Sequence, residues 1–164
     1  RSSMSNTVRV TATLLAGDTE APKASSALAR FVTHHLLEEI VKHGIDHLAL
    51  FTFRAGRAVR WRIGGGAPTD DVVRTIAASE AATGLAFVYQ APVPPEVDGD
   101  EAIRVAAESS DGRNDVIIAF RGEGAQREFR LYGAEGRPVQ WLGVPPRQPI
   151  RVEVDVWSQA IGEA

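Results

Sequence analysis

The chain has 164 residues, a formal net charge of −3 and no cysteine. This length fits one domain, and the lack of cysteine excludes disulfides, thiol nucleophiles, iron–sulfur clusters and cysteine-ligated zinc. The acidic balance argues against a protein that grips nucleic acid through a broad positive field, and no apolar stretch approaches the ~20 residues of a membrane span.

Composition also suggests a location and an origin. The hydrophobic fraction of 44% and the charged fraction of 24% are typical of a soluble globular protein, and no secretory signal is seen, so we expect a cytoplasmic protein. Sixteen of the eighteen basic residues are arginine, which suggests a high-GC bacterial genome. We expect residues 1–5 to be a cloning remnant and disordered start, residues 6–157 to form one domain, and residues 158–164 to be a flexible tail.

In the first half of the chain, strand and helix patterns alternate. The segment "TVRVTATL" has the period of a half-buried strand, and the stretch from Pro22 to His43, followed by Gly44, is typical of one long helix. The segments "DHLALFTFR" and "AVRWRIG" predict a hairpin around Gly56. A second helix is predicted from about Thr69 to Thr83, closed by Gly84, and "LAFVYQ" then predicts a strand.

The second half changes rhythm after a linker, "APVPPEVDGDE", that is rich in proline and acid. The segments "IRVAAES", "DVIIAF", "REFRLYG" and "PVQWLG" follow at about twelve-residue spacing, with glycine in each turn. They predict an antiparallel meander of about five to six strands that "IRVEVDVW" completes. The stretch "EAIRVAAES" fits a short helix as an alternative to a strand.

Together these elements predict an α+β fold, with one long and one short helix packed on one face of a mostly antiparallel, meander-type sheet. The order helix, hairpin, helix and meander resembles the cone-shaped nuclear-transport-factor-2-like fold over about two thirds of the chain. The resemblance rests on element order and not on a motif, so it implies no functional residues.

All four histidines lie in "HHLLEEIVKHGIDH", residues 34–47. A helix advances ~100° per residue, which puts His34, His35, Glu38 and Glu39 on its polar face, so we expect all four to be largely exposed. We expect His43 to stabilise the helix end, where a cation is favoured by the dipole. His35 and His43 lie about 12 Å apart along the axis, so no three histidines should converge, and we predict no metal site and no cofactor.

Four arginines crowd the predicted hairpin, namely Arg54, Arg57, Arg60 and Arg62. Alternation puts Arg60 and Arg62 on one face, where they could bind an acidic partner surface or, less plausibly for this net charge, nucleic acid. An exposed sheet face with arginine stems covering apolar surface is the alternative. Phe31, among the polar residues of the long helix, adds a further candidate partner-binding residue.

Two other segments carry weaker signals. The glycines of "RIGGGAPTDD" stand between a strand and a helix, as in phosphate-binding turns, but Asp70 and Asp71 would repel a phosphate there, so we interpret the segment as a flexible turn before a capped helix. The acidic "EVDGDE" does not have calcium-loop spacing, and we interpret it as solvated linker.

Three hypotheses about function follow. The first is a non-catalytic interaction or accessory module, which we expect to self-associate, using a sheet face or edge and the arginine hairpin. The second is a small-molecule-binding protein or enzyme with a pocket between the curved sheet and the long helix, where Tyr89, Glu108 or Tyr132 would point inward. The third is nucleic-acid binding through the arginine hairpin, and we predict no catalytic residue for any of the three.

Overall fold

The computed structural model describes residues 7–15, 24–43, 48–63, 69–123, 126–134 and 137–159. Within them the chain forms, in order, β1 (Thr7–Leu14), α1 (Ser25–His43), β2 (Leu48–Arg54), β3 (Arg57–Ile63), α2 (Thr69–Ser79), β4 (Gly84–Ala91), β5 (Glu101–Ser109), β6 (Gly112–Arg121), β7 (Glu128–Ala134) and β8 (Arg151–Gln159). The predicted α+β class is confirmed. Neither helix is long and apolar enough, over the residues described, to cross a membrane.

The eight strands form one sheet in the order β7-β6-β5-β4-β2-β3-β1-β8. Every neighbouring pair is antiparallel except β1 and β8, which run parallel. Strands β4 to β7 form the predicted meander, but β8 does not complete it. Instead the chain crosses to the far end of the sheet, so β7 and β8 are its two edges.

The two helices lie on opposite faces of the sheet, so the prediction that both pack on one face is wrong. α1 packs on β4, β5 and β6 in a core that includes Phe51 and Val88. α2 packs in a second core with Leu50 and Leu85. Neighbouring residues of a strand point to opposite faces, so Leu50 and Phe51 are apolar side chains on opposite faces of the sheet. Each needs a helix on its own face to be buried, and two helices on one face would have left the other face exposed.

The end of α2 also differs from its prediction. The helix ends at Ser79, and Ala81 adopts a left-handed φ of 52°. The N–H of Ala82 donates to the carbonyl of Ala77 (3.0 Å) and that of Ala81 to Ala78 (3.1 Å), the bond pair of a Schellman motif. Gly84 opens β4 instead, where an added Cβ would come within 2.7 Å of Leu28 Cδ1.

The segment between β7 and β8 is irregular, so the strand predicted for "PVQWLG" is wrong. Its backbone donors from Gln140 to Leu142 bond to the side chain of Glu108 and not to a neighbouring strand. The stretch "EAIRVAAES" is strand β5, which settles the alternative of a short helix. The predictions for residues 1–5, Pro22, the side chain of His43, Gly44, His47, the glycines at 64–66 and residues 160–164 lie outside what the structure describes.

Candidate functional site

The polar face of α1 is only partly exposed. His34 and Glu38 are exposed, as expected, but His35 and Glu39 are half-buried, and the expectation of exposure is wrong for these two. His35 Nε2 lies 3.4 Å from Glu39 Oε1, and its ring meets Phe51 edge-on at 5.6 Å. Burial, reinforced by the nearby guanidinium of Arg60, lowers the pKa of His35 below its usual 6.5.

Arg60 explains this burial. It points from β3 toward α1, is 5% exposed, and pairs through Nη1 with Glu39 while its guanidinium lies 5.8 Å from the centre of the Phe51 ring. Desolvation, with a smaller contribution from Arg62, lowers the pKa of Arg60 to about 10. Glu39 therefore contacts both Arg60 and the ring of His35, and this cluster joins α1 to β3. No group of three or more His, Asp or Glu side chains among the described residues could hold a metal ion.

The other arginines of the hairpin have different surroundings. Arg57 donates two hydrogen bonds to Glu80 (2.8 and 3.3 Å), and its guanidinium lies 5.5 Å from the centre of the Trp157 ring. Arg54 and Arg62 are exposed. The hairpin therefore offers only part of its positive charge to an outside partner.

Phe31, the remaining candidate for partner binding, is half-buried. Its ring meets Phe53 edge-on at 5.7 Å, at the margin of the α1 core. Whether any of these residues binds a partner stays a prediction.

The three candidate pocket residues do not converge either. Tyr89 and Glu108 lie on the α2 side of the sheet, opposite the long helix, because they follow the alternation of Phe87 and Ala106 in the α2 core. Tyr89 lines a cleft of about 580 Å³ with Phe87 and Trp141. Tyr132 instead borders a groove between α1 and β7.

Glu108 is fully buried and has a structural task. Its Oε2 accepts the N–H of Gln140 (2.8 Å), and its Oε1 accepts those of Trp141 (3.0 Å) and Leu142 (2.9 Å). Arg113 lies 3.8 Å away and stacks over the Trp141 ring, 4.8 Å from its centre. The carboxylate thus fixes an otherwise irregular segment against the sheet.

Neighbouring charges complete this network. Asp115, 2% exposed, accepts hydrogen bonds from Arg104 (2.6 Å) and from two nitrogens of Arg113 (2.7 and 2.9 Å). These bonds and the nearby carboxylates raise the pKa of Arg113 against the opposing effect of burial. Asp70 accepts the indole N–H of Trp141 at 2.9 Å, so the first turn of α2 holds the same segment.

Large apolar side chains are exposed at both edges of the sheet. On β7 they are Phe129 and Leu131, 46% and 51% exposed, and on β8 they are Val156 and Trp157, 55% and 48% exposed. Trp157 packs on Trp61, with ring centres 5.6 Å apart, and so has a partner within the chain. Phe129 and Leu131 face the α1 side, opposite Phe120 and Ile118, and stay about half exposed there, while α1 packs on β4, β5 and β6.

A groove of about 360 Å³ lies between α1 and β7. Along α1 it is lined by Ser26, Arg30, Thr33, His34 and Leu37, and along the sheet by Asn114, Val116, Leu131, Tyr132 and Gly133. The helical residues are spaced so that they form one stripe. We call this groove, together with the exposed apolar side chains Phe129 and Leu131 of β7, the β7 surface.

Comparison of the chain with protein-family models, with curated proteins and with solved structures finds no match. The resemblance in element order to the nuclear-transport-factor-2-like fold therefore has no matching structure behind it. Function has to be argued from the geometry of this chain.

Sequence reasoning missed the β7 surface. The segment "REFRLYG" predicted a strand, and its alternation already placed Phe129 and Leu131 on one side. The segment alone does not show that β7 lies at an edge of the sheet. That position depends on the pairing of β8 with β1 at the other end of the sheet. An apolar pair on a strand becomes an exposed surface only through that distant pairing.

Proposed function

We propose that this chain is a non-catalytic interaction module that self-associates through the edge strand β7. The observation that carries the proposal is the pair of exposed apolar side chains, Phe129 and Leu131, on a strand that has a hydrogen-bonded neighbour on one side only among the described strands. An open strand edge offers unpaired N–H and C=O groups to another strand, and exposed apolar side chains beside it favour that pairing.

The opposite edge is better protected. β8 carries Arg151, Glu153 and Asp155, and Asp155 forms an ion pair with Arg9 at 2.9 Å. The β1–β8 register shifts between Val10 and Thr11, so the strand is irregular there. Charged side chains and irregularities are the features that keep an edge strand from pairing with a second chain. These differences favour β7 as the contact.

The sequence of β7 suits antiparallel pairing with a second copy of itself. A two-fold axis at Leu131 would set Leu131 opposite its counterpart and Phe129 opposite Gly133 of the partner, while Arg130 would face Tyr132. All seven residues of β7 would pair, and no two like charges would stand directly opposite each other. A two-fold axis at Arg130 would place Arg130 directly opposite its counterpart in the second copy. The repulsion between the two like charges disfavours that register.

The buried charges support a structural rather than a catalytic task. Arg113 pairs with both Glu108 and Asp115, Glu108 also accepts a backbone N–H of the segment before β8, and Glu39 is bound by Arg60. Each of these carboxylates is used to hold one element of the fold against another. The proposal therefore rests on association and not on chemistry.

Light scattering with mass determination, over a range of protein concentrations, tests the proposal. We expect the wild-type chain to reach the dimer mass and the Leu131→Arg variant to remain at the monomer mass, because two arginines would meet at the axis. Val156→Arg is the matched control, since it places the same charge on an equally exposed apolar position of the other edge. It should dimerise like the wild type.

Two results would contradict the proposal. A wild-type chain that stays monomeric at the highest concentration would remove self-association altogether. Loss of the dimer in Val156→Arg, with Leu131→Arg unaffected, would move the contact to β8. Far-ultraviolet circular dichroism of both variants checks that the fold is retained.

A further inference from the structure

The groove between α1 and β7 combines an apolar floor with polar groups on one wall. Leu37 of α1, Val116 of β6 and Leu131 of β7 supply the apolar part. Its volume of about 360 Å³ lies at the lower end of the ~300–1,000 Å³ typical of small-molecule pockets. The space therefore suits a small ligand better than a folded polypeptide.

The polar groups of the groove are able to donate hydrogen bonds, and none is a carboxylate. Arg30 and His34 stand exposed on α1, with Asn114 on the facing strand. Among the described residues that line the groove there is no aspartate or glutamate. A site with this composition is complementary to an anion, because guanidinium, imidazole, hydroxyl and amide groups all donate to a carboxylate.

Thr33 adds an independent observation. It lines the groove at 4% exposure, and no group of the described residues forms a hydrogen bond with its hydroxyl. A buried hydroxyl without a partner costs about 1–3 kcal/mol, so such groups are usually satisfied by a ligand or by water. Thr33 lies one helical turn before Leu37 and next to His34. Its hydroxyl is therefore located between the apolar and the basic residues of the groove.

From these contacts we infer that the groove binds an organic carboxylate with a short aliphatic tail. The tail lies along Leu37, Val116 and Leu131, and the carboxylate lies against Arg30, His34 and the Thr33 hydroxyl. A bare inorganic anion would leave the apolar part in water, and a neutral alcohol would not use the guanidinium. Each alternative therefore uses only half of the site.

Octanoate is the probe that tests this inference, with 1-octanol and inorganic phosphate as the two half-ligands. The ¹⁵N–¹H spectrum of the full chain is followed during titration with each. We expect octanoate to shift the amide resonances of the α1 stripe and of Val116 and Leu131 saturably. Octanol should bind at least fivefold more weakly, and phosphate should leave these resonances unchanged.

Two substitutions on α1 separate the charge from the hydroxyl. Arg30→Gln should weaken octanoate binding about fivefold without changing octanol binding, since only the charge-assisted bond is lost. Thr33→Val, which keeps the shape of the side chain, should weaken octanoate binding by a smaller factor. Arg54→Gln removes an equally exposed arginine from β2, outside the groove, and should bind octanoate like the wild type.

Several results would overturn the inference. These are the absence of saturable shifts at millimolar octanoate, octanol binding as tightly as octanoate, and equal losses in Arg30→Gln and Arg54→Gln. Shifts confined to the cleft beside Tyr89 and Trp141 would place the ligand on the other face of the sheet. Because the substituted residues lie on α1, the resonances of α1 and their change in these variants read ligand binding separately from strand pairing at β7.

Discussion

Glu108 is a single residue whose loss should loosen a whole segment. Its carboxylate accepts three backbone N–H groups, from Gln140, Trp141 and Leu142. In Glu108→Gln the side-chain NH₂ group would face the same backbone N–H groups. Donors would then oppose donors, and buried N–H groups would lose their acceptor. We expect the free energy of unfolding, measured with urea, to fall by about 2–4 kcal/mol. Exposed Glu96→Gln should change it by less than about 0.5 kcal/mol, and equal effects would refute the role of Glu108.

His35 gives the fold a defined pH dependence. Its pKa is lowered in the folded state by burial first and by Arg60 second, while Glu38 opposes the shift. As the pH falls from 6.5 toward the folded-state pKa of His35, the unfolded chain therefore binds more protons than the folded chain. The free energy of unfolding decreases over that interval. We expect urea denaturation at pH 7.5 and pH 5.5 to show a smaller difference in His35→Gln than in the wild type. A difference that is unchanged or larger would contradict this assignment.

The sequence patterns predicted which way a side chain points better than they predicted how far it is buried. Alternation correctly put Arg60 and Arg62 on the same side of β3, yet Arg60 is 5% exposed and Arg62 is exposed. The difference arises because Glu39 of α1 reaches Arg60 from 21 residues away in sequence. A strand period holds no information about which helix will cover a given position. The same helix explains why His35 and Glu39 are half-buried on a face that is polar by sequence.

At the scale of elements, the end of α2 offers a stabilising change. Ala81 holds a left-handed φ of 52°, which costs an L-residue roughly 1–2 kcal/mol. Ala81→Gly removes that cost but adds about 0.4–1 kcal/mol of unfolded-state entropy, so we expect a net gain of about 0.5–1 kcal/mol in unfolding free energy. In Ala78→Gly, at an exposed position of α2, thermal and urea unfolding should show a loss of similar size. If both glycines destabilise the chain, the strain assigned to Ala81 is absent.

Elements with local signals were predicted well, and those that depend on distant partners were not. The strand period of β1 and the hairpin of β2 and β3 are written in a few neighbouring residues. The segment from Pro138 to Gly143 has a strand-like composition but is irregular, because Glu108, about 30 residues earlier, takes its backbone donors. Gly84 was expected to end a helix and instead admits Leu28 to the surface of β4.

For the whole molecule, the order of strands decides what is exposed. The parallel pairing of β8 with β1 leaves β7 as the other edge, and the packing of α1 on β4 to β6 leaves the β7 surface open. The α+β class could be predicted from element order alone. The two-faced packing of the helices and the open edge could not, because both follow from contacts between opposite ends of the chain.

The lack of cysteine makes a direct test of the β7 contact possible, because a single introduced thiol can only bridge to its own counterpart. Directly opposite residues of an antiparallel pair have Cα atoms about 4.5–5.5 Å apart, within disulfide range. With the axis at Leu131, counterparts of Phe129 or of Gly133 would lie roughly 13 Å apart. Disulfide formation thus reports both the edge and the register.

The decisive measurement is the rate of disulfide dimer formation under mild oxidation for Phe129→Cys, Leu131→Cys, Gly133→Cys and, on the other edge, Val156→Cys. Self-association through β7 predicts that Leu131→Cys cross-links at least tenfold faster than the other three. Equal rates at all four positions, or the fastest cross-linking at Val156→Cys, would contradict it.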